Sequence, residues 1–115
     1  MKVHGLFLNA QRTVDVAPGE VVFKEGDAGT EMFGIVSGEI RLESQGKEIA
    51  TLGPDDVFGE MALLDSSPRM ATAVATAESS LAVIDRHRFL FLVQETPMFA
   101  LSVMSAMADR FRAQV

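Results

Sequence analysis

A mainly β fold closed by two helices is what this sequence predicts. Short apolar runs recur between glycine-bearing turns over the first two-thirds of the chain. At Asp85 the hydrophobic period changes to that of a helix. The 115 residues suffice for one core and are too few for two, so residues 1–115 read as a single domain.

The elements follow in order. Val14 and Val16 alternate with polar neighbours before the turn at Pro18-Gly19. Val21-Val22-Phe23 comes next, closed by Glu25-Gly26-Asp27. Met32–Ser37 is apolar enough for a buried strand, and Gly38 turns it into Glu39–Ser44, where Ile40 and Leu42 alternate with charges. Gln45-Gly46 is a hairpin turn because glycine accepts positive φ, and Lys47–Leu52 returns from it with Ile49 apolar. Thr72–Thr76 and Leu81–Ile84 supply two further strands. Strands this short, spaced this way, suit a barrel or a double-sheet jelly roll.

Asp85 is suited to cap a helix beginning at Arg86, with Phe89, Leu90, Leu92 and Val93 as its apolar stripe. Thr96-Pro97 reads as an N-cap followed by proline at the first helical position. The last helix presents Leu101, Met104, Ala108 and Phe111 at helical spacing. Arg110 and Arg112 stand near its C-terminus, where the helix dipole favours cations. The roll thus covers about residues 12–85 and the helices about 86–114.

Composition narrows the function. A chain 48% hydrophobic and 23% charged is that of a globular protein, not a disordered one. With no cysteine it has no disulfide, thiolate metal site or cysteine nucleophile, which fits a reducing cytoplasm. Leu6-Phe7-Leu8 is too short for a signal-peptide core, and no run approaches a membrane span, so no membrane insertion is expected. A net charge of −6 argues against direct nucleic-acid binding. His4 and His87 lack a carboxylate or second histidine at ligand spacing, and Ser66-Ser67 has neither an elbow nor a base. No catalytic residue, catalytic cofactor or metal site is therefore expected, and the chain does not read as an enzyme.

The stretch Val57–Val74 carries the chemistry. Gly59, Glu60 and the lone Arg69 lie on a short segment otherwise apolar and small. A desolvated guanidinium needs an anion. Residues Gly59–Leu64 can form one helical turn whose free N–H groups face whatever anion Arg69 holds. Glu60 offers acceptor oxygens suited to a hydroxyl and hostile to a phosphate. A ligand anionic at one edge and hydroxylated beside it satisfies both, as a nucleotide phosphodiester does.

This segment resembles the phosphate-binding cassette of cyclic nucleotide-binding domains, a family that includes catabolite activator protein and protein kinase A regulatory subunits. The residues that carry the resemblance are Phe58, Gly59, Glu60, Ala62, Leu63, Pro68, Arg69, Ala71, Thr72 and Val74. It extends upstream through Pro18-Gly19-Glu20, Gly26-Asp27, the run from Met32 to Gly38, and Leu52-Gly53-Pro54. The resemblance implies an eight-stranded antiparallel jelly-roll β-barrel followed by two helices. It implies cyclic AMP or cyclic GMP as ligand, with Arg69 on the phosphate, Glu60 on the ribose 2′-hydroxyl, and Gly59, Met61, Ala62, Met70 and Ala71 around them. Met70 stands where cyclic GMP-selective members tend to carry threonine or serine, which favours cyclic AMP. Leu42, Leu52 and Val74 are candidates for the floor beneath the base, and Leu63 for the residue that relays cassette movement. Asp55-Asp56 stands where the family often has Gly-Asp, a departure aspartate tolerates.

Each assignment has a plainer alternative. Arg69 can pair with Glu60 or Asp65, or borrow such a carboxylate until an anion arrives. Leu42, Leu52, Leu63 and Val74 can be ordinary core. The stripe Leu101, Met104, Ala108 and Phe111 can cover the roll, join a protein partner or second copy, or fold over a ligand. A nucleotide-independent interaction module is the competing function.

Overall fold

The jelly roll is present, built from strands most of which bury one or both faces. The computed structural model describes residues 2–114. Among them run β1 (Thr13–Val16), β2 (Val21–Phe23), β3 (Met32–Ser37), β4 (Ile40–Ser44), β5 (Lys47–Leu52) and β6 (Val57–Phe58). The short helix α1 (Met61–Leu64) follows, then β7 (Thr72–Ala75), β8 (Ser79–Ile84) and the helices α2 (Arg86–Glu95) and α3 (Met98–Gln114). The strands form two antiparallel four-stranded sheets, ordered β1-β8-β3-β6 and β2-β7-β4-β5. Crossing between sheets at nearly every connection is what makes this a jelly roll rather than a meander.

Strand alternation divides the apolar residues between two cores. Phe33 and Ile35 of β3 and Leu81 and Val83 of β8 point between the sheets, meeting Ile40, Leu42, Phe58 and Ala73. Met32, Ala82 and Ile84 take the opposite face and join Phe7, Val57, Leu63, Leu92, Phe99 and Val103 beneath the helices. The near-continuous apolar run of β3 is thus explained: both of its faces are covered. Gly34 supports this second core by having no side chain, because the Phe7 ring occupies the space a Cβ would take.

The two-residue β6 is too short to show alternation and was not legible as a strand. Thr76 falls outside β7 because its N–H and hydroxyl bond Glu39 at the neighbouring turn. Asp85 caps α2 as expected, accepting from the Arg88 N–H at 2.8 Å. The Thr96 and Pro97 carbonyls accept from Phe99 and Ala100, so the proline sits in the opening turn of α3.

The helical stripes differ from expectation. Leu92 is buried and Phe89 and Val93 half-buried, but Leu90 faces solvent. In α3 the buried residues are Phe99, Ser102 and Val103, followed by half-buried Ala106, Met107 and Arg110. Leu101, Met104 and Phe111 are exposed. Packing rotates the helix about one position from the stripe that spacing alone selects, and α3 departs from α2 at a bend of 119°. Among the described residues no single helix is long and apolar enough to cross a membrane.

Candidate functional site

Strand β6 delivers the cassette. Gly59 follows it at φ +78°, a conformation that costs glycine nothing, and the chain then turns into α1. A Cβ on Gly59 would stand 2.9 Å from the Arg69 Nη1, so the glycine also makes room for the guanidinium.

Arg69 is fixed from its backbone outward. Its N–H donates to the Asp27 carbonyl and its own carbonyl accepts from Gly26, both at 2.8 Å. The loop between β2 and β3 therefore grips the residue on both sides. Nη1 donates to the Gly59 carbonyl at 3.1 Å, and Cζ lies 4.1 Å from the centre of the Phe23 ring, a cation–π contact. Nε is buried with no hydrogen-bond partner among the described residues. Desolvation pulls the guanidinium below its ordinary pKa, against the attraction of Glu31 and Asp27.

The alternative of an Arg69 pair with Glu60 or Asp65 does not occur. Glu60 is 6% exposed and is bound by the Arg110 guanidinium, which also donates through Nη1 to the Val57 carbonyl at 3.1 Å. Asp65 accepts instead from the Ser67 side, and that hydrogen bonding lowers its pKa. Arg110 was expected to serve the helix dipole. It is spent on the cassette instead, and burial pulls it down to about 10 against the attraction of Asp56, still cationic at neutral pH.

A cavity of ≈ 480 Å³ opens over these groups, within the usual range of small-molecule sites. Gly59, Glu60, Met61, Ala62, Arg69, Met70, Ala71 and Leu42 all line it. Leu52 and Val74 do not: Leu52 belongs to the core between the sheets, and Val74 alternates with the buried Ala73 and Ala75. The wall that sequence reasoning missed comes from Phe23, Ile49, Met107 and Arg110. Ala108 and Phe111 line it too, so part of the exposed α3 stripe looks into the cavity. Ile49 sits where the β4–β5 register shifts, which alternation along β5 does not mark, and only tertiary packing brings α3 here.

Leu63 is buried under the helices, and its carbonyl accepts from Arg86 Nη1 at 3.2 Å at the start of α2. Asp55 adopts φ +72°, the left-handed geometry a glycine would otherwise supply. Its carboxylate accepts from the Gly5 N–H at 3.0 Å and lies 3.2 Å from the His4 Nδ1, so His4 has a carboxylate neighbour that sequence spacing did not reveal.

A family model for the cyclic nucleotide-binding domain matches residues 13–96, most of the chain. The chain belongs to the cyclic nucleotide-binding domain family. It is 35% identical over 99 residues to a cyclic AMP receptor protein of Thermus thermophilus, covering 82% of this chain and 46% of that protein. It is 38% identical over 96 residues to a cGMP-dependent protein kinase of Toxoplasma gondii, covering 83% of this chain and 10% of the kinase. The crystal structure of Thermus thermophilus catabolite activator protein superposes with a TM-score of 0.74 at 32% identity, over 88% of this chain and 50% of that one. The chain thus spans half or less of these relatives. As a cyclic nucleotide-binding domain it has the expected jelly roll and terminal helices, and the match covers the cassette and Arg69.

Proposed function

We propose that this chain is a cyclic nucleotide sensor with cyclic AMP as its preferred ligand. The observation that carries the reading is the Arg69 guanidinium: gripped through its backbone, stacked on Phe23, lining the cavity and holding a buried Nε without a partner among the described residues. A phosphodiester supplies the missing acceptor, and the N–H groups at the start of α1 add to it. Glu60 accepts the ribose hydroxyl, with Gly59, Met61, Ala62 and Ala71 close about the sugar and phosphate. Leu42 and Ile49 form the apolar floor under the base, and Met70 at the mouth offers guanine no good hydrogen bond.

Ribose and Arg110 compete for Glu60, so nucleotide binding changes what holds α3 to the cassette. Leu63 and the Arg86 bond to its carbonyl carry movement to α2. Ligand shifts that equilibrium only by its differential affinity for the two arrangements. The output surface is the exposed face of α3, where Leu101, Met104 and Phe111 beside Ala108 suit a protein partner or a second copy of the chain. Action in the cytoplasm, without membrane insertion, direct nucleic-acid contact or catalysis, completes the proposal.

A second reading has one observation in its favour. Glu60 is already satisfied by Arg110, as it would be in a module that works through its helices without nucleotide. Thermal shift of nucleotide-stripped protein separates the two. Stabilisation by cyclic AMP supports the sensor, and no response to either cyclic nucleotide supports the interaction module.

A further inference from the structure

Neither Arg12 nor its partner Glu31 lines the cavity, but Glu31 stands beside the seat of Arg69. Arg12 stands immediately before β1, and its carbonyl accepts from the Val83 N–H of β8 at 2.9 Å. Glu31 stands immediately before β3, the other neighbour of β8. The sheet thus fixes the two residues on either side of one strand, and Arg12 Nη1 donates to Glu31 Oε2 at 2.6 Å.

Glu31 also borders the phosphate site. The point where a Cβ on Gly59 would stand is 2.9 Å from Arg69 Nη1 and 3.6 Å from the Glu31 carbonyl oxygen. Two residues earlier, Gly29 has no side chain to separate this loop from the Arg69 Nε. A carboxylate freed at position 31 would therefore find a desolvated guanidinium with an unused donor beside it. Carboxylate and phosphate are equivalent acceptors for such a group, and only one can hold it.

We propose that Arg12 is a positioning residue for the phosphate site: by holding Glu31 across β8, it keeps the Arg69 guanidinium open to a ligand anion. This rests on the reading of Arg69 as the phosphate ligand. Arg12 acts through charge, so lysine substitutes for it, and neutralising Glu31 removes the need for it.

The test is calorimetric titration of nucleotide-stripped wild-type, Arg12→Gln, Arg12→Lys and Arg12→Gln/Glu31→Gln proteins with cyclic AMP. Arg12→Gln weakens binding roughly three- to tenfold, the effect of one partly screened charge near a phosphate. Arg12→Lys retains most of the affinity, and the double variant returns to the wild-type value or above it. A purely structural ion pair would leave the double variant as impaired as Arg12→Gln, and that result overturns the proposal. The Arg69 Nε–H resonance gives a second readout without nucleotide, moving in Arg12→Gln and returning in the double variant. A resonance unmoved by Arg12→Gln overturns the proposal as well. Wild-type protein that binds no cyclic nucleotide defeats the phosphate reading, and the resonance then still decides whether Arg12 keeps Glu31 from Arg69.

Discussion

Glu60 and Arg110 form an ion pair that joins the start of the cassette helix to the far end of α3, 50 residues away in sequence. Both side chains are largely buried, so α3 cannot leave the cassette without depriving Glu60 of its partner. The residue proposed to read the ribose is thus the residue that anchors the last helix. Recognition and helix position share one carboxylate.

Breaking that pair on one side is expected to cost about 3–5 kcal/mol, because the orphaned charge stays buried. Arg110→Met should show this in urea unfolding, and Arg110→Met/Glu60→Gln should recover much of it. A double variant no more stable than Arg110→Met would mean that the pair contributes little beyond the packing of the arginine stem.

Gly29→Ala tests the seat of Arg69. Its Cβ would collide with the guanidinium, and Gly29 carries no positive φ to complicate the result. The side chain must move off its place beside Phe23. Cyclic AMP affinity should fall by about tenfold or more, with the melting temperature lowered by only a few degrees, as expected of a loss near 1 kcal/mol in a domain of this size. Titration together with a thermal melt measures both.

Cyclic AMP affinity should vary by no more than about twofold between pH 6 and 9. Burial lowers both Arg69 and Arg110, the latter to about 10, so Arg110 stays mostly protonated across that window. It exchanges few protons on folding there. Only above about pH 10 does the folded chain release the Arg110 proton before the unfolded chain does, and there its contribution to stability rises with pH. Titration calorimetry across the window checks this, and a midpoint between pH 6 and 7 would instead assign control to a histidine.

Met70→Thr should narrow or reverse the preference for cyclic AMP over cyclic GMP. Met70 lines the mouth of the cavity and is largely exposed, so the exchange adds a hydroxyl at little structural cost. Competition titration with both nucleotides gives the ratio. An unchanged ratio would locate base selection elsewhere in the cavity wall.

Much of this was readable from the sequence where the cause is local. Glycine turns, alternation and the Asp85 cap mark β1 to β5, β7, β8 and the start of α2, because each depends on a few neighbouring residues. Asp55 was read as tolerating a left-handed backbone, and it adopts one. The cassette was legible through its motif, of which Gly59, Glu60, Ala62, Pro68, Arg69 and Ala71 line one cavity. What failed was long-range. Spacing picked Leu101, Met104, Ala108 and Phe111 as the stripe of α3 and left open what it meets, whereas Phe99, Val103 and Arg110 are the residues that pack toward the roll. No pattern near Arg110 announces that its partner lies across the fold at Glu60. Leu52 and Val74 lie outside the cavity lining, Leu52 in the core between the sheets and Val74 between the buried Ala73 and Ala75.

The central claim is that Arg69 holds the phosphate of a cyclic nucleotide. Its most direct test is calorimetric titration of nucleotide-stripped protein with cyclic AMP, beside Arg69→Ala. The account predicts saturable binding by the wild type, weakened by about two decades in the variant, since a charge-assisted contact of this kind is worth roughly 2–3 kcal/mol. The variant should still fold, because it removes a desolvated charge and opens little of the core. Equal affinity in a folded Arg69→Ala protein would contradict the assignment.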